Sequence, residues 1–84
     1  MNQSELLDTI NTYNSTEKKV VKTNLKRIMK EKKFKLRDIE KLGFKHDNAA
    51  SWTNKAALNA PLFDQALTIG VKFKFDVMEL TKAV

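Results

Sequence analysis

Residues 34–55, FKLRDIEKLGFKHDNAASWTNK, constrain the chain more than any other stretch. Leu36, Ile39 and Leu42 recur at helical spacing and are followed at once by Gly43, a residue suited to the left-handed conformation that ends a helix. Phe44 is placed to fold back onto a core. Asp47 reads as the N-cap of a second short helix running through Ala49, Ala50, Trp52 and Lys55. The alanines let two helices approach closely, and the tryptophan fills the space beneath. A short helix, a turn and a second short helix make the outline of a helix-turn-helix.

The rest of the chain reads as helical too. A first helix is predicted over Ser4 to Tyr13, with Ser4 as N-cap and with Leu6, Ile10 and Tyr13 on one face. A second begins near Ser15 or Thr16 and runs to about Lys32, burying Val21, Leu25, Ile28 and Met29 beside a row of Lys18, Lys22, Lys26 and Lys30. The helix after Gly43 is followed by a break at Asn59 and Ala60, and Pro61 stands in the first turn of the next. Leu62, Phe63, Ala66, Leu67 and Ile69 form the apolar side of that helix, and Gly70 is expected to stop it. Val71, Phe73 and Phe75 alternate with Lys72 and Lys74, a period of two that predicts a brief extended segment over residues 71–75. Asp76 then caps a last turn or two containing Val77, Met78 and Leu80. The fold class expected is mainly α, a small bundle of about five or six helices.

Eighty-four residues, 42% of them hydrophobic, suit one domain, because two separate cores would each bury too little apolar surface to offset chain entropy. Within it, residues 1–17 are expected to form an accessory acidic helix and residues 18–84 the main body. The absence of cysteine leaves neither a disulfide framework nor a thiolate metal site, and one histidine falls short of a zinc ligand set. No metal or cofactor is expected. No apolar run approaches a membrane span and the amino terminus has no signal-peptide pattern, so a cytoplasmic protein is expected.

The formal charge of +6 is concentrated. Residues 18–45 carry twelve Lys or Arg against Glu31, Asp38 and Glu40, whereas residues 1–17 carry only acidic charges and residues 46–84 balance. A cationic block of this kind attracts a phosphate backbone and makes affinity salt-dependent through counterion release. The plainer alternative is a lysine-rich helix that keeps the chain in solution.

From Leu25-Lys26-Arg27-Ile28-Met29-Lys30-Glu31-Lys32-Lys33, through the Leu42-Gly43-Phe44 corner and the Ser51-Trp52 pair, to Ala66-Leu67-Thr68-Ile69-Gly70-Val71, the chain resembles the lambda-repressor-like helix-turn-helix regulators, the group of phage repressors, Cro proteins and XRE-type regulators. The resemblance covers roughly residues 24–80. It implies a compact bundle, binding of double-stranded DNA and a homodimer, in a phage or mobile-element setting. It also implies a recognition helix of about residues 47–57, with His46, Asn48, Ser51 and Asn54 as the base contacts and Lys35, Arg37, Lys45 and Lys55 on phosphates. Asparagine reads adenine through paired hydrogen bonds, and serine accepts either partner. Asp47 is assigned to capping, since a carboxylate near phosphates is otherwise unfavourable.

No glycine-rich phosphate loop, nucleophile-base set or metal cluster is legible, so neither an enzyme nor a small-molecule substrate is expected. The competing expectation is a protein-interaction module on the same bundle, such as an anti-repressor or an accessory subunit of a mobile-element complex. The apolar strip of Leu6, Leu7, Ile10 and Tyr13, or the stretch 71–75, offers a dimer contact; packing of the first helix on its own bundle is the default.

Overall fold

A computed structural model describes residues 2–83. Five α-helices follow one another: α1 (Gln3–Ser15), α2 (Lys18–Lys32), α3 (Leu36–Glu40), α4 (His46–Thr53) and α5 (Phe63–Phe73), closed by a 3₁₀ turn over Val77–Thr81. No strand occurs among the described residues. The radius of gyration of 12.1 Å matches the roughly 12 Å expected of a chain this long folded around one core.

That core is supplied by every helix. Leu25, Ile39, Ile69 and Leu80 are fully enclosed, and Tyr13, Val21, Ile28, Phe34, Ala49, Trp52, Ala66 and Val77 complete it. The first helix packs in cis through Tyr13. Its ring meets Phe63 edge-on at 5.7 Å, and its hydroxyl donates to the Pro61 carbonyl at 2.5 Å. Further toward the N-terminus the strip loosens, for Leu6 and Leu7 are exposed. No helix among the described residues is long and apolar enough to cross a membrane.

Several boundaries differ from the sequence-based expectation, each for a local reason. Asn2, and not Ser4, caps α1, its side chain accepting the Glu5 amide at 2.8 Å. In α3 the α-helical pattern stops at Glu40, because Leu42 and Gly43 donate to Ile39 and Glu40 in tighter three-residue steps. Pro61 lies two residues ahead of α5 rather than in its first turn, where the Gln65 side chain accepts the Leu62 amide. Leu62 and Leu67 point outward.

The extended segment expected over residues 71–75 is overturned. Gly70 does not stop α5; the helix runs through it to Phe73 and ends on Lys74 in the left-handed conformation at φ 62°. Lys33 ends α2 in the same way, at φ 60°. Each lysine accepts a backbone strain of about 1–2 kcal/mol, offset by the phenylalanine that follows it. The Phe34 and Phe75 amides close back onto the Met29 and Gly70 carbonyls, and Phe34 lies nearly parallel to Phe73 at 3.9 Å and to Phe75 at 6.3 Å. The alternation of Val71, Phe73 and Phe75 therefore reflects a helix end folding over, not a pleat.

The last turn is tied to α2 by a buried polar side chain. Asn24 donates to the Leu80 carbonyl at 3.0 Å and to the Lys82 carbonyl at 2.9 Å. Asp76 caps the 3₁₀ turn by accepting the Met78 amide, as its position predicts.

Candidate nucleic-acid interface

The unit α3, turn and α4 is held from below by aromatic packing. Gly43 adopts φ 102°, a conformation that side chains rarely take, and Phe44 turns inward to meet Trp52 edge-on at 5.1 Å. Trp52 and Ala49 are buried. The tryptophan is thus part of the core, as its spacing predicts.

This anchoring brings the chain into helical geometry early. Lys45 occupies the N-cap position of α4, and Ala49 donates to its carbonyl. Asp47 therefore does not cap the helix. It stands in the first turn, exposed, and among the described residues its carboxylate takes part in no hydrogen bond or ion pair. Its remaining structural role is the modest attraction of a carboxylate to a helix N-terminus.

The far end of α4 is also earlier than expected, at Thr53 rather than about residue 57. Asn54 turns to extended geometry and its side chain accepts the Ala56 amide at 3.0 Å, while Ser51 and Thr53 hydroxyls donate back to the Asn48 and Ala50 carbonyls. Such local side-chain bonds offer the backbone an alternative to further helix. The recognition helix expected over 47–57 is accordingly an eight-residue helix with a turn after it.

At 3.6 residues per turn, burial of Ala49 and Trp52 sends Asp47 and Ser51 to the opposite, outward side of α4. Asn48 lies on one flank, exposed, at the edge of a groove of about 440 Å³ shared with Asn14, Lys18, Asn59 and Gln65. His46 is exposed and its Nδ1 pairs with the Glu40 carboxylate, tying the start of α4 to the end of α3. Asn54, expected among the outward contacts, is exposed but lies beyond the helix and is engaged by Ala56.

Lys35, Arg37, Lys41, Lys45 and Lys55 are all exposed around this unit. None forms an ion pair among the described residues, so their charge is directed to solvent. Lys41, on the turn itself, is exposed beside the four residues expected at phosphates; its position between Glu40 and Gly43 was the available signal. Lys22, expected in the lysine row that flanks the apolar face of α2, is instead 6% exposed and donates its ammonium to the Ala57 carbonyl. Desolvation, with the nearby Lys26 charge, holds its pKa below the usual lysine value.

Comparison with protein-family models, with characterised proteins and with solved structures finds no match to this chain.

Proposed function

We propose that the protein is a sequence-specific DNA-binding regulator of repressor or Cro type, with α4 as the helix that enters the major groove. The observation that carries this reading is a short helix with a polar outward side, fixed from beneath by Trp52 and ringed by exposed cations that form no ion pair among the described residues. Eight residues at about 1.5 Å each give a helix of about 12 Å, a length that fits the base edges of three or four pairs. His46, Asn48 and Ser51 are the side chains offered to bases. Lys35, Arg37, Lys41, Lys45 and Lys55 are offered to the phosphates on either side.

A homodimer belongs to this proposal. Strand pairing through residues 71–75 is withdrawn, because that stretch finishes a helix. Exposed Leu6 and Leu7 on α1, and exposed Leu67 and Val71 one turn apart on α5, are apolar surfaces available to a second copy.

The test is selection from a random duplex pool followed by titration at several salt concentrations. Asn48→Ala and Ser51→Ala are expected to relax base discrimination, each by about 1–3 kcal/mol at one position. Lys35→Gln and Lys55→Gln are expected to weaken all sequences alike and to reduce the salt slope by about 1 each. No binding at low salt, or equal binding to every duplex, refutes the reading.

One observation favours a second reading, a protein-interaction module. The unpaired Asp47 carboxylate stands at the middle of the outward side of α4, where a phosphate backbone nearby raises its energy and a basic partner lowers it. A stoichiometric protein partner whose binding is lost in Asp47→Lys, with no duplex selected, decides for that reading.

A further inference from the structure

A second feature of the surface is independent of α4. The N-terminal half of α2 and the loop after α4 enclose a cleft of about 460 Å³, within the range of small-molecule sites. Its walls include Lys18, Lys22, Lys26 and Lys55 together with Ala57 and Leu58, and no carboxylate of the described residues lines it. The apolar part of this lining comes from lysine stems and from Leu58, which is 84% exposed. The cleft thus offers cationic heads beside apolar lysine stems and an exposed leucine.

Lys22 is the centre of the arrangement. An ammonium carries three donors, and among the described residues the Lys22 ammonium has one protein partner, the Ala57 carbonyl. Lys22 is nearly enclosed as a residue, its ammonium is part-buried, and a second positive charge, Lys26, lines the same cleft. An anion in the cleft supplies acceptors to the remaining donors and removes the repulsion between the two lysines. A bare inorganic anion gains the charge term alone. An anion with an aliphatic body also covers Leu58 and the lysine stems.

We propose that this cleft binds a small amphiphilic organic anion, an aliphatic carboxylate whose head meets Lys22 and Lys26 and whose chain lies along Leu58. Charge complementarity and the exposed leucine at the mouth select this occupant over a nucleic-acid phosphate, which has no apolar body to bury. The site does not depend on the DNA-binding reading, because occupancy is measured with no duplex present. If DNA binding also holds, the shared Lys55 makes the carboxylate a competitor of the phosphate backbone.

The experiment is a two-dimensional amide NMR titration of the full chain with decanoate, held below its micelle concentration. Saturable shifts centred on residues 18–26 and 55–58 are expected, with binding about tenfold tighter than that of inorganic phosphate or of decanol at the same amides. Leu58→Glu, a change at an exposed side chain that leaves the core untouched, is expected to weaken decanoate by about tenfold or more. Shifts that do not saturate, shifts centred instead on Leu67 and Val71, equal binding of phosphate alone, or an unaffected Leu58→Glu variant each overturn the proposal.

Discussion

Replacing Gly70 by alanine tests the account of how α5 ends. Gly70 sits inside the helix at a negative φ, so intrinsic propensity alone favours the change by about 1 kcal/mol. Tertiary packing opposes it. A methyl group at that position meets the Phe75 carbonyl oxygen at 2.8 Å, a backbone atom that side-chain rotation does not relieve. Phe75 is itself held by its amide bond to the Gly70 carbonyl at 2.9 Å, and its ring by the stack on Phe34. Moving it away lengthens that bond and opens the stack, a strain of about 1–3 kcal/mol for a small-to-large change in a packed site, with the weakened hydrogen bond adding about 1 kcal/mol. The expected net effect is a loss of about 1–3 kcal/mol, seen as a melting temperature lower by roughly 5–20 °C for a domain this small. Urea unfolding followed by circular dichroism gives the free energy directly. Gly43→Ala is the internal comparison, since nothing stands near its added methyl and its loss of about 1 kcal/mol arises from φ 102° alone. A Gly70→Ala protein as stable as the parent, or more so, refutes the close-approach argument.

Two further predictions concern the polar ties of the core. Tyr13→Phe removes the hydroxyl that donates to Pro61 and is expected to cost about 1–2 kcal/mol at neutral pH. Burial pushes the Tyr13 phenol above its ordinary value, so the folded state keeps a proton that the unfolded chain releases above pH about 10; the parent therefore loses stability through that range and Tyr13→Phe lacks this contribution, and an undiminished gap between the two in alkaline urea melts contradicts the assignment. Asn24→Leu keeps the branched shape but leaves the Leu80 and Lys82 carbonyls without their donor, and is expected to cost about 2–3 kcal/mol. Hydrogen exchange is expected to show the 3₁₀ turn released before the rest of the bundle; unchanged protection there refutes the tie.

The limits of sequence reading are clearest at particular residues. Gly43 and Gly70 are the same residue type after similar apolar runs, yet one turns the chain beyond α3 by its left-handed backbone and the other lies within α5, where Phe75 approaches closely. Asp47 is a good cap by type, but Phe44 packing on Trp52 starts α4 before it is reached. At the candidate interface, the exposure of His46, Asn48, Lys35, Arg37, Lys45 and Lys55 agrees with their polar patterning. The Glu40 pairing of His46 and the burial of Lys22 have no counterpart in local spacing, since each partner lies on another element.

Helical periodicity, the left-handed corner at Gly43, the inward tryptophan and the central block of positive charge follow from the chain alone, because each depends on neighbours within a few residues. The course of α5 past Gly70, the lysine-phenylalanine closures, the place of Asp47 on the outward side of α4 and the lysine cleft were decided by tertiary packing. Contacts between residues far apart in sequence set the energies there, and these outweigh local preferences of about 1 kcal/mol.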